Sequence, residues 1–363
     1  LNHQAEQTSY HQQFSYDVMG RMTGRLEPNS GHLYESFHYD AADNLLETTV
    51  SNHASKLLND LFERFKQAEH EYDEWGQIKR KRGKSGDQQF TFDDEGRLIH
   101  ARGRGIHGEH STQYHYDALG RRVAKQMRRM RSDGTQAQHR TEFQWLGMSM
   151  VQVLDEERLQ TYIYSPDSPY TPLARVDQNR QMDGQISPMQ TVYHHHAHDN
   201  GQVQSVTDES GEVIWSARYG AFGRLNLTQR PDFKSFNEQL RFAGQYADEE
   251  TGLHYNTFRY YDPEVGRFVS SDPIGLLGGV NLYRYAPNTT GWIDPWGWCG
   301  GLPGKKNLKI DMVHILDRHT ATGRTAVQSG IKDLFPDHMT PKQIENAIKE
   351  AYSNAKRLQT HGE

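Results

Sequence analysis

The chain has 363 residues, 34% of them hydrophobic, and 41 Lys/Arg stand against 47 Asp/Glu for a net charge of −6. Its 19 Tyr, 14 Phe and 6 Trp are too many for a solvated tail, and a single cysteine excludes an intrachain disulfide framework. No apolar run approaches the roughly 20 residues of a membrane-spanning helix, so no stable membrane insertion is expected. Abundant Tyr with 32 Gly points to strands and turns with an interior of aromatic rings. The length leaves room for two or three domains. The sequence opens on Leu1-Asn2-His3-Gln4 with no signal-peptide pattern and is expected to be a fragment of a longer protein.

In chain order, the first elements are a drifting repeat: FSYDVMGRMTGRL (14–26), FHYDAADNLLETTV (37–50), YDEWGQIKRKR (72–82), FTFDDEGRLIHAR (90–102) and YHYDALGRRVAKQ (114–126). Each unit predicts a strand ending at Tyr or Phe, a turn whose amides Asp satisfies and where Gly supplies a positive φ, and a returning strand. The marker residues Asp17, Asp40, Asp73, Asp93 and Asp117 lie 23, 33, 20 and 24 residues apart. One hairpin cannot bury its aromatic face alone, so the copies must pair edge to edge into a long, twisted sheet. Between 51 and 70 the repeat weakens, and Leu57, Leu58, Leu61, Phe62 and Phe65 fall at helical spacing, which predicts an inserted helix. The basic runs Lys79-Arg80-Lys81-Arg82 and Arg128-Arg129-Met130-Arg131 read as solvated or sheet-edge charges. His194, His195, His196 and His198 look like a metal cluster, but consecutive strand residues face opposite ways and cannot all converge. No metal or other cofactor is therefore expected.

These units resemble the YD repeats of Rhs-type proteins. YHHHAHDNGQVQSVTDESGEVIWSARYGAFGR (193–224) is similar to a late phrase of the Rhs core, and RFAGQYADEETGLHYNTFRYYDPEVGRFVSSDPIGL (241–276) to the stretch that closes it. The resemblance implies a mostly β fold in which the hairpins form a long spiralling sheet, a hollow shell around a C-terminal toxin. It implies three regions: partial shell (1–240), core-closing and autoproteolysis region (241–298), and the start of a small, partly helical toxin segment (299–363). It also implies a secreted antibacterial effector that reaches the target-cell cytoplasm, a cognate immunity protein, and a secretion-system spike or adaptor.

The closing stretch holds Asp-Pro-x-Gly twice, at Asp272 and Asp294. Each phrase is a tight-turn signal, so two hairpin corners are one reading. The other is chemistry: a strand-like return over Gly279–Tyr285 would set the turns side by side, and two carboxylates sharing a site retain one proton between them. One then acts as base while the other polarises a carbonyl. By resemblance, Asp272 and Asp294 form the self-cleavage pair and Trp298–Cys299 is the bond cut, with Trp298 where the family usually has Leu. A rival route has the Cys299 thiol attack the preceding carbonyl and form a thioester.

After Cys299 the balance changes to ten Lys/Arg against seven Asp/Glu. Gly300–Gly304 reads as a spacer, and Thr340-Pro341-Lys342-Gln343 as the start of a helix with an apolar stripe from Ile344 to Ala355. The run from His314 to Ile348 resembles the opening of bacterial EndoU-like ribonuclease toxins, which cleave RNA without metal. That resemblance casts His314 and His319 as acid–base residues and nucleic acid as the substrate. The sheet carrying the rest of such a domain would lie beyond Glu363. The alternatives are a metal-dependent DNase, or a carrier without further activity such as the C component of insecticidal toxin complexes. Capping of a helix by Asp317 and His319 is the purely structural reading.

Overall fold

The computed structural model describes residues 13–26, 33–40, 43–45, 49–50, 69–83, 86–130, 134–166, 168–229, 236–279, 281–298 and 302–303. The helix expected within 51–70 lies almost wholly outside these residues. So do Cys299, His314, His319 and the helix expected from Thr340.

The repeat folds as its chemistry requires. Fourteen strands form one antiparallel sheet in unbroken sequence order, from Glu69–Tyr72 at one edge to Leu225–Gln229 at the other. A four-stranded sheet of Gln13–Tyr16, Met22–Leu26, Leu33–Ser36 and Thr49–Val50 comes before it. A second four-stranded sheet follows, built from Tyr246–Asp248, Leu253–Asn256, Arg259–Asp262 and Arg267–Phe268. Trp292–Ile293 pairs with Leu302–Pro303. Among the described residues there is no α-helix, and no helix is long and apolar enough to cross a membrane.

The turns explain the recurrent Asp. In the Asp117 turn one carboxylate oxygen accepts the amides of Leu119 (2.9 Å) and Arg121 (3.0 Å), while Gly120 donates to the Asp117 carbonyl (3.0 Å) at φ 75°. The same side-chain pattern recurs at Asp17, Asp73, Asp93 and Asp208. The 37–50 unit lacks the glycine, and Asp43 takes its place at φ 63°, a conformation a short polar side chain tolerates. Burial alone would raise the Asp117 carboxyl, but hydrogen bonds from the Arg121 side chain and amide outweigh it and hold it low. These repeat aspartates are turn formers.

The core is aromatic, as the composition implies. Phe90, Tyr114, Phe143, Tyr162, Trp215 and Tyr219 of the long sheet are buried, as are Tyr246, Tyr255, Tyr260, Tyr261 and Phe268 of the closing sheet. Charges stitch the two together. Arg122, fully buried, pairs with Asp248 at 2.5 Å beneath the rings of Phe143 and Tyr255. Within the long sheet, Arg175 pairs with Asp177 of its own strand (2.7 Å) and lies 4.0 Å over Phe236.

Two expectations change. Lys81 is not solvated: Arg80 faces out to pair with Asp87, and Lys81, the next residue, points inward to Asp262 (2.8 Å) and Glu264 (3.0 Å). A charge run on a strand divides between two faces, and the inner one found carboxylates in the closing sheet. The run Gly279–Tyr285 is not a strand. Its described residues leave a 3-10 turn at Gly275–Gly278, turn again at Leu282–Tyr283, and meet the closing sheet through an isolated Arg267–Arg284 bridge and through the Leu282 and Tyr283 carbonyls, which accept from Arg259 and the Phe268 amide. Among the four histidines, His195 alone is buried, bonding Glu238 at 2.7 Å, while His194 and His196 face outward as strand alternation requires.

Candidate active site

Asp272 follows the last strand of the closing sheet and forms an Asx turn. Its side chain accepts the Ile274 amide (3.1 Å) and its carbonyl accepts the Gly275 amide (2.8 Å). Asp294 follows Trp292–Ile293 and accepts the amides of Gly297 (3.0 Å) and Trp298 (3.1 Å) on one oxygen. Each phrase is therefore a turn, as the bland reading required. They differ from the repeat turns in depth and in company: Asp272 is 7% exposed and Asp294 1%.

Arg259 joins them. Its Nη2 lies 3.0 Å from an Asp272 oxygen and 3.4 Å from an Asp294 oxygen, so one nitrogen serves both carboxylates. Its Nη1 donates to the Leu282 carbonyl (2.9 Å), its Nε donates to the Gly297 carbonyl, and its guanidinium carbon is 3.7 Å from the centroid of the Phe268 ring. Burial pushes the Asp294 carboxyl up to about 7; Arg259 and the two amides oppose the rise, and the Asp272 charge adds to it. Burial also raises Asp272, against Arg259 and the Ile274 amide. Near neutral pH the pair can hold one proton, the state in which one carboxyl donates and the other accepts.

The hairpin tip that carries Arg259 also contacts the segment after Asp294. Asn256 Nδ2 donates to the Asp294 carbonyl (2.8 Å), Thr257 Oγ1 to that of Pro295 (3.4 Å), and the Phe258 amide to that of Trp296 (3.1 Å). The Phe258 ring stacks on Trp298 at 4.2 Å between centroids. From the other side, Gly244 lies under Pro295: a Cβ there would stand 2.1 Å from the Pro295 oxygen, at φ 79°. Gly244→Ala is expected to lower stability by about 2 kcal/mol, read as a lower thermal midpoint, because neither backbone can yield.

The structure thus brings together Asp272, Asp294 and Trp298 of the expected site. Arg259 and the tip at 256–259 were not singled out from the sequence. A signal existed: Arg259 shares a strand face with Tyr261 in an otherwise aromatic run, and a buried cation demands a carboxylate.

A family model described as the teneurin YD-shell matches residues 1–289. The chain belongs to the YD-shell family. The Rhs-type resemblance carried by its repeats is borne out. Double-stranded DNA deaminase toxin A of Burkholderia cenocepacia is 41% identical over 296 residues, 79% of this YD-shell chain and 21% of that protein. Toxin protein Tse5 of Pseudomonas aeruginosa is 30% identical, covering 78% and 25%, and the probable deoxyribonuclease RhsA of Dickeya dadantii 26% identical, covering 82% and 23%. The chain therefore spans about a fifth to a quarter of the length of these relatives. Among solved structures, the Photorhabdus luminescens Tc holotoxin pore matches 82% of the chain and 13% of its own, with TM-score 0.52 and 19% identity, and shares the fold.

Proposed function

We propose that this chain is the closing part of a secreted antibacterial toxin precursor that cuts itself between Trp298 and Cys299 and frees a C-terminal passenger. One observation carries the reading: two buried carboxylates share the Arg259 guanidinium, and one of them holds the amide of the residue before the bond. The ionised carboxylate, Asp272, draws a proton from a water that adds to the Trp298 carbonyl carbon. Asp294 supplies its proton to the Cys299 nitrogen as the C–N bond breaks. The bond is part of the same chain and permanently near the pair, so a modest constellation suffices.

In this reading, residues 1–240 are shell, 241–298 the closing and cutting region, and 299–363 the start of the passenger. Supporting the boundary, the family match stops at residue 289, and relatives named for DNA deamination and for deoxyribonuclease activity align with similar shares of this chain. The shell is common to them, so the chemistry follows the passenger. For the passenger we favour an EndoU-like ribonuclease in which His314 and His319 move protons, neutralised in the producer by an immunity protein. Delivery through a secretion-system spike or adaptor to the target cytoplasm belongs to the same proposal. The names of the relatives also favour a second reading, a passenger acting on DNA. Expressing the complete C-terminal domain in cells separates them: degraded RNA with intact genomic DNA supports the first, and the reverse supports the second.

The pH dependence follows from the pair. A carboxyl raised to about 7 is protonated below that value and ionised above it. Cleavage of the full chain should therefore fall as pH rises through about 7, where the donor is lost, and fall again at acid pH, where both carboxyls are protonated. Band ratios on denaturing gels across a pH series check this; a flat profile contradicts it. Cys299→Ala should cleave like the parent, whereas the thioester route predicts that it does not.

A further inference from the structure

The tip of the closing hairpin, Asn256–Arg259, does more than present Arg259. Its four consecutive residues engage four consecutive carbonyls, those of Asp294, Pro295, Trp296 and Gly297, one residue for one residue. Such a ladder between a tight turn and a short irregular segment is not sheet pairing, because two of its donors are amide and hydroxyl side chains and a third is a guanidinium. It is how a peptide backbone is held in a binding site. The tip is also conformationally tense: Thr257, a β-branched residue, sits at φ 56°, where such side chains are rarely found. The ladder leads to Trp298, whose amide is held by Asp294 and whose ring lies on Phe258 at 4.2 Å and 16° between planes. Phe258 rests in turn on the YD turn at Gly120, where a Cβ would come within 3.1 Å of its ring. Phe258 belongs to none of the buried core clusters, so its ring is available to read the side chain stacked on it.

We infer that the hairpin tip Asn256–Arg259 is the peptide-binding subsite of the cutting centre, and that Phe258 sets the preference for the side chain before the scissile bond. The inference rests on the self-cleavage reading. Its ligand is a backbone stretch of five residues ending in a flat aromatic side chain, supplied here in cis by residues 294–298. The tip's contacts lie on the N-terminal side of the bond, so the new Trp298 carboxylate stays on the shell after cutting, and the passenger side is then tied there by the short pairing of Leu302–Pro303 with Trp292–Ile293. Phe258 is a positioning residue: it touches the residue that bears the scissile carbonyl and takes no part in proton transfer.

The test is a double-mutant cycle in the full 363-residue chain, made by cell-free synthesis, with cleavage followed over time on denaturing gels and the fragments identified by mass. Phe258→Ala should slow cutting by about three- to tenfold in the Trp298 chain, the loss of a stacked aromatic pair, and by less than about twofold in a Trp298→Leu chain. Phe258→Leu, which keeps apolar volume without a ring face, should behave like Phe258→Ala, and Phe258→Tyr like the parent. Equal slowing in both chains, or none in the Trp298 chain, overturns the inference. Asp294→Asn run in parallel separates the two levels. If it blocks cutting while the Phe258 variants change nothing, the subsite fails and the self-cleavage reading stands. If Asp294→Asn cuts normally, both fall.

Discussion

Asp294→Asn is expected to leave an uncut 363-residue chain on a denaturing gel, with cutting slowed by about a thousandfold or more. The amide keeps the shape of the carboxyl and can still accept the Gly297 and Trp298 amides through its oxygen, so the turn should survive. What it cannot do is release a proton to a leaving nitrogen. The variant thus isolates the proton on Asp294 from the architecture around it. Asp272→Asn should give the same uncut band for the complementary reason, loss of the base. Normal fragments from both variants would return the two Asp-Pro-x-Gly phrases to the role of structural corners.

The second large effect is on stability. Arg122→Met should destabilise the protein by about 3–5 kcal/mol, because it leaves the Asp248 carboxylate fully buried with Lys125 (2.9 Å) as its remaining cationic partner. The methionine fills much of the space among Tyr114, Phe143 and Tyr255 but cannot replace the charge over their faces. Adding Asp248→Leu in the same chain should recover most of the loss, since two apolar residues leave no charge to compensate at that pair. Urea unfolding followed by tryptophan fluorescence measures both. A loss below about 1 kcal/mol for the single variant would mean that the pair behaves like a surface bridge. The pair joins the long sheet to the closing sheet, so the same variant should also loosen the frame that holds Arg259.

Local chemistry made most of the architecture readable. Asp with Gly three residues on, between aromatics at alternate positions, is a complete instruction for a hairpin, and copies of it leave edge-to-edge pairing as the way to bury their rings. The same logic placed His195 on one face and its neighbours on the other. It failed where a residue's partner lies far along the chain. A basic run in a hairpin reads locally as solvated or sheet-edge charge, but the partner of Lys81, Asp262, is 181 residues away. The strand expected over Gly279–Tyr285 had the right residue types, but the chain there turns to deliver carbonyls to Arg259 and Phe268 instead of pairing.

The repeated phrase shows where the division falls. By itself the sequence determined that Asp272 and Asp294 each form a turn, since Asp, Pro and Gly impose that locally. Only the tertiary structure decided that these turns differ from those at Asp17 or Asp117. It buried both carboxylates against one guanidinium from a third strand, raising them where Asp17 and Asp117 are held low by Arg21 and Arg121. A carboxyl's proton affinity depends on desolvation and on charges close in space, and neither is a property of sequence neighbours.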